Sequence, residues 1–183
     1  MHPFGLAIVA AALLWPVSDA TEGDGNDQNT VLQQIAATPV RSDGADAFRF
    51  STEPQQGGIA IVVESARLGT GRHSVRVRRF VGHPRSSWRP AERWTFNVPD
   101  QEYLTVSSKI DQLLAAPPCV TEEECSWVCT DGPGILVERS LNGRSLWRRG
   151  SCGDNHPLDQ IARLIELTIR RHVGSVATKG AFQ

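Results

Sequence analysis

The chain of 183 residues is poor in several residue types and motifs on which common chemistries depend. It has no Cys-x-x-Cys, so a thioredoxin-like redox role lacks its motif. It has no His-Glu-x-x-His and no Gly-x-Ser-x-Gly, which removes the zinc-protease helix and the serine nucleophile elbow. Gly69-Thr-Gly71 is followed by neither the further glycines nor the Lys-Ser or Lys-Thr of a phosphate loop. Lysine is confined to Lys109 and Lys179, and the formal net charge of −1 shows no basic excess. A dedicated nucleic-acid binder normally carries such an excess, so nucleic acid is not an expected partner. No apolar run reaches the length of a membrane-spanning helix, about 20 residues.

What the chain does have begins with an export signal. Phe4 to Leu14 is almost unbroken in apolar character, too short to span a bilayer, and Ser18 and Ala20 place small residues where a signal peptidase reads. Residues 1–20 are therefore expected to be a signal peptide, although Met1-His2-Pro3 ahead of the run carries no Lys or Arg. No cysteine lies near the cleavage point, so a lipid anchor is not indicated. Removing this leader takes away Asp19 and leaves 19 basic and 19 acidic residues. A periplasmic or secreted protein follows, with no transmembrane segment in the mature chain.

Residues 21–47 open with a polar Gly, Asp and Asn stretch that has little apolar surface to offset the entropy of ordering. They are expected to be flexible, with a short helix at 30–37 ended by Pro39. From Phe48 the period changes toward two, and residues 48–174 read as one α+β domain. Strands are expected at 58–65, 73–81 and 92–98. In the second of these Val75, Val77 and Val81 alternate with Arg76, Arg78 and Phe80; in the third Trp94, Phe96 and Val98 point inward. A helix capped by Asp100 follows, with Tyr103, Val106, Ile110, Leu113 and Leu114 on one stripe, ended by Pro117-Pro118.

Beyond it a short strand is expected at 126–129, then two strands at 135–141 and 144–150 joined by Asn142-Gly143, a strong type I′ hairpin signal. A last helix starts at Pro157, buries Leu158, Ile161, Ala162, Ile165 and Ile169, and stops at Gly174. Residues 175–183 are expected to be a disordered tail. The simplest assembly is an antiparallel sheet of about five to six strands with two main helices packed on one face, stapled by disulfides.

In an exported protein the four cysteines, Cys119, Cys125, Cys129 and Cys152, imply two disulfides. Three pairings exist. Cys119 with Cys125, around Glu122-Glu123-Glu124, and Cys129 with Cys152, across the hairpin, are favoured. By loop entropy the second contributes about 3 kcal/mol. The rival, a four-thiolate zinc site, wants two tight pairs, whereas Cys152 stands alone. Asp131-Gly132-Pro133-Gly134 is a turn device rather than a ligand loop.

His156 with Asp154 or Asp159 is the one cluster suited to acid–base work, as in a small extracytoplasmic hydrolase; capping of the last helix explains the same residues. No catalytic residue, metal or cofactor is assigned. The most suggestive feature is arginine beside tryptophan: Trp88-Arg89, Arg93-Trp94 and Trp147-Arg148-Arg149. With Arg76 and Arg78, Trp147 and Arg148 form a candidate surface for an anionic envelope component or another protein. The plainer account pairs these arginines with Glu64, Glu92 or Glu138.

Asp131-Gly132, Leu136-Val-Glu138, Asn142-Gly143, Trp147 and the helix from Leu158 to Leu167 resemble small exported bacterial proteins of unknown function, over the last third of the chain. The resemblance implies a fold type and a secreted setting, and carries no catalytic residues with it. The expected function is a non-enzymatic binding or envelope-associated module with an Arg/Trp-rich sheet face. Peptide mapping of the exported protein without reduction is expected to show an amino terminus at Thr21 and a cross-linked peptide pair containing Cys129 and Cys152. Free thiols at both positions would overturn the disulfide reading.

Overall fold

The computed structural model describes residues 46–54, 57–67, 71–83, 86–116, 134–142, 144–151 and 157–182. The expected leader, the four cysteines, the strand at 126–129, Asp154 and His156 lie outside the described residues. Among the described residues there are six strands: β1 (Ala47–Glu53), β2 (Gly58–Arg67), β3 (Arg72–Gly82), β4 (Trp88–Pro99), β5 (Gly134–Leu141) and β6 (Arg144–Ser151). Helix α1 (Asp100–Ala115) follows β4, α2 (Pro157–Val173) follows β6, and a 3₁₀ turn occupies Ser175–Thr178. The strands form one sheet in the order β4-β3-β2-β1-β5-β6, every neighbouring pair antiparallel. This is the expected α+β class, an antiparallel sheet with two packed helices.

Period-two alternation sorts the side chains onto two faces. One face sends Phe48, Phe50, Ile61, Val63, Val75, Val77, Ile135 and Val137 against both helices, which supply Tyr103, Val106, Ile110, Leu158, Ile161, Ile165 and Ile169. Burial of a large apolar side chain such as Phe50, Ile61 or Ile169 contributes about 1.5–3 kcal/mol. The expected helical stripes and the inward Trp94, Phe96 and Val98 are observed, the first two partly buried. On the opposite face a smaller cluster joins Ala60, Val62, Phe80 and Trp88.

Four expectations are corrected. β1 is a strand of its own, between β2 and β5, so it occupies the middle of the sheet. Val81 keeps the face of Val75 and Val77, since β3 stays in register with β2 from Val75 to Val81, but it is exposed rather than buried with them. Asp100 does not cap α1: Pro99 holds the cap position without a side-chain hydrogen bond, since β4 runs straight into the helix. Asp100 turns its carboxylate to His73 instead.

The fourth correction concerns the tail. Gly174, at φ 97°, ends α2 as expected, and the chain then folds back over the core. Ala177 and Ala181 are buried, and the Phe182 ring stacks on Phe50 at 6.0 Å. Arg170 Nε donates to Thr178 Oγ1 at 3.1 Å, and Gly180, at φ 76°, lies against Ile59. A Cβ at Gly180 meets the Ile59 side chain at 3.1 Å and needs a left-handed backbone, so this return favours glycine. Deleting residues 175–183 is expected to lower stability by about 3 kcal/mol in urea titration, from the apolar area uncovered around Phe50. A loose tail would leave the midpoint unchanged.

Candidate functional site

The most tightly bound polar cluster lies under the helix face. Arg139 follows Ile135 and Val137 in alternation on β5, so its side chain enters the interior, where it is 5% exposed. A cation there needs partners for every donor. Its Nε donates to Asp111 Oδ1 at 2.8 Å, and Nη1 donates to Asp46, to the Ala47 carbonyl at 3.1 Å and to the Ser140 carbonyl at 3.2 Å. The Tyr103 hydroxyl donates to Asp46, and its ring stacks on Phe48 and on His73. His73 Nε2 lies 2.7 Å from Asp100, while its Nδ1 is buried with no partner.

These contacts set the charge states. Burial by itself raises the Asp46 pKa, but the hydrogen bonds from Tyr103 and Arg139 and the guanidinium charge outweigh it and hold the carboxyl below its ordinary range. Burial and the bond to Asp46 push the Tyr103 phenol up, so it stays a donor. Burial disfavours charge on Arg139, but Asp111 and Asp46 overcome this and raise its pKa. Each acid, base and donor in this cluster other than His73 Nδ1 is engaged within it, so its chemistry is used in holding β1, β3, β5 and α1 together.

The opposite sheet face carries a registered row: Thr95, Arg76, Glu64, Arg49, Glu138 and Trp147 lie side by side across five strand pairings. Arg49, 3% exposed, donates to Glu64 at 3.2 Å and to Glu138 at 2.9 Å; Arg78 pairs with Glu64 at 3.1 Å and lies over the Phe80 ring. The centre of this face is closed, with Ser51, Ala60 and Val62 also buried, and exposure is left to its margins. Arg76 is exposed at one margin and Trp147 at the other. Four strand intervals, about 19 Å, separate them.

The four sequence-predicted binding residues are therefore not brought together. Arg76 and Arg78 share a strand and a face, Trp147 shares the face at its far side, and Arg148 lies on the helix face. Arg148 Nη2 donates to the Ala116 carbonyl at the end of α1, at 2.6 Å. The plainer pairing account holds for Arg78 with Glu64 and, at 2.7 Å, for Arg79 with Glu92. What sequence reading passed over is Leu146, 55% exposed, beside Trp147, 59% exposed. Parity was the available signal: residues two apart on a strand share a face, so Trp147 is grouped with Arg149 rather than with Arg148.

Two further places have polar chemistry. Between α1 and α2 an open groove of about 410 Å³ is lined by residues that include Val106, Leu164, Leu167 and Arg171. At its rim Glu102 holds Arg171 at 2.7 Å and His172 at 3.0 Å, and His172 stacks on Phe96. Asp159, the described member of the acid–base cluster expected around His156, pairs with Arg163 at 2.9 Å one helical turn on. Among the described residues no group of His, Cys, Asp and Glu is arranged to hold a metal ion. No helix among them is long and apolar enough to cross a membrane.

No protein-family model, curated protein or solved structure matches the chain. The Asp46 cluster generates a direct test. Because the folded carboxyl is more acidic than the unfolded one, the unfolded chain takes up the proton first as pH falls. The stabilisation is full above the ordinary aspartate pKa, about 4, and is lost as pH falls through the lower folded value. Asp46→Asn is expected to lose about 2 kcal/mol at pH 7, and its acid unfolding limb is expected to be shallower than that of the wild type. Parallel limbs would show that Asp46 does not carry this linkage.

Proposed function

We propose that this protein is an exported, non-enzymatic binding module that holds an anionic partner, an envelope component or another protein, at the β5–β6 margin of its sheet. The observation that carries this reading is the composition of β6, Arg144–Ser151, where Leu146 and Trp147 are exposed side by side among Arg144, Arg148 and Arg149. Trp147 and Arg149 share one face of β6, so an apolar body and a cation lie on the same side of the strand, a combination common at binding surfaces. Export is supported by the apolar run and small-residue cleavage site in residues 1–20.

The cross-strand neighbours strengthen the electrostatic case. Arg144 faces Leu141, Arg148 faces Val137 and Arg149 faces Leu136, so no carboxylate of β5 lies directly opposite any of them. Glu138, the acidic residue of β5, faces Trp147 and is bound to Arg49.

Retention on a polyglutamate resin tests the reading. The wild type is expected to bind and to elute with salt, since the attraction between exposed charges is screened. Replacing Arg144, Trp147 and Arg149 by Ser is expected to abolish retention, whereas Arg76→Ser with Arg78→Ser leaves it within about twofold, a change of about 0.4 kcal/mol. Equal loss in both variants would move the surface away from β6.

A further inference from the structure

The groove between α1 and α2 belongs to one end of the helix pair. Its walls come from the first turns of α1, where β4 runs into the helix at Pro99, and from the last turns of α2, before the chain turns at Gly174. At that end both walls continue into described residues, β4 on one side and the returning tail on the other. Leu164, Leu167 and Arg171 recur at intervals of three and four, so they share one flank of α2, beside the stripe of Ile161, Ile165 and Ile169 that packs on the sheet. Val106 and Pro99 supply the opposite wall, and a glutamine and two threonines complete the lining. Leu167 is 58% exposed, and the groove's volume of about 410 Å³ falls within the range of small-molecule sites, about 300–1,000 Å³.

One end of this apolar groove carries charge. Arg171 gives Nη1 to Glu102 at 2.7 Å and among the described residues has no other partner, so most of the donors of its guanidinium are unengaged, and its side chain is 67% exposed. Glu102, the carboxylate of the lining, is largely covered and is met a second time by His172 Nε2 at 3.0 Å. It therefore keeps a partner whether or not Arg171 stays with it, and an ion pair with one arm in solvent is weak. The unused part of the fork matches a planar carboxylate. From Leu164 to Arg171 the flank runs two helical turns, about 10 Å. That is short for a docked helix, which typically has three or four turns, and suits a single acyl chain.

We propose that the α1–α2 groove binds a single-chain amphiphile with a carboxylate head, a fatty acid of medium length, with its chain along Val106, Leu164 and Leu167 and its head on Arg171. Burial of the chain holds the ligand, and the arginine fixes its direction in the groove. The site lies on the helix layer, separate from β6, and does not depend on the binding surface proposed there.

Isothermal titration with octanoate tests this, with octanol as the uncharged control. Octanoate is expected to bind saturably and octanol at least tenfold more weakly. Arg171→Gln is expected to bring octanoate down to the affinity of octanol while leaving octanol within about twofold, a pattern that a folding defect does not produce; Leu167→Ser is expected to weaken both. Equal affinity of the wild type for octanoate and octanol overturns the proposal, and so does the absence of saturable binding by either. Replacing Arg144, Trp147 and Arg149 by Ser is expected to leave octanoate binding unchanged; loss in that variant places the ligand on β6 and overturns the groove. Octanoate binding that appears only after removal of residues 21–45 overturns the proposal in favour of that segment as the occupant. A dimer in sedimentation that Leu167→Ser abolishes and octanoate leaves intact overturns it in favour of a second copy of the chain.

Discussion

The guanidinium of Arg139 is the point on which the fold depends. It enters the interior from β5 and is met by Asp111 and Tyr103 from α1 and by Asp46 at the start of β1. Replacing a buried ion cluster by apolar groups is often neutral or stabilising, so its value here lies more in specificity than in net energy. A slip of one residue in a strand turns every side chain to the other face. Such a slip between β1 and β5 would carry Arg139 away from both carboxylates. It would equally break the opposite face, where Arg49 on β1 sits between Glu64 on β2 and Glu138 on β5. The central strand is thus pinned from both sides, by an arginine surrounded by acids on each.

The value of that pinning is clearer from how weakly β1 is marked in the sequence. Ala47-Phe-Arg-Phe-Ser-Thr-Glu53 alternates, but half of its residues are polar and Arg49 reads as a surface residue. Its β5 partner lies about ninety positions downstream, since Arg49 opposes Glu138. Local periodicity identifies helices and hairpins, whose partners are adjacent, and has no access to pairings of this range. The five strands other than β1, both helices, the hairpin at Asn142 and the stop at Gly174 were all legible for that reason. The returning tail was not. Ala177, Ala181 and Phe182 form no periodic pattern, and only the presence of Phe50 beneath them gives them a place.

The candidate site shows the same division. Arginine next to tryptophan is visible in the sequence, but neighbours along a strand point to opposite faces, so Trp147-Arg148 and Arg93-Trp94 are each split by the sheet. Trp94 packs on the core and Arg93 faces outward; Arg148 reaches the end of α1 and Trp147 remains exposed. Which arginines are already engaged was also beyond the sequence, because Arg78 and Arg49 compete for the same Glu64 only once β1, β2 and β3 are in register. Spacing of two, read strictly, recovers the Trp147 and Arg149 pairing. The exposure of Leu146 required the sheet order, which makes β6 an edge.

That sheet order also gives the two edges different consequences. Pro90 and a register shift close β4 to any strand, whatever its sequence. Arginine acts differently from proline at an edge: it repels a strand of like charge and attracts one of opposite charge. A flat adhesive patch places its apolar residues on one face. β6 divides its exposed Leu146 and Trp147 between the two faces.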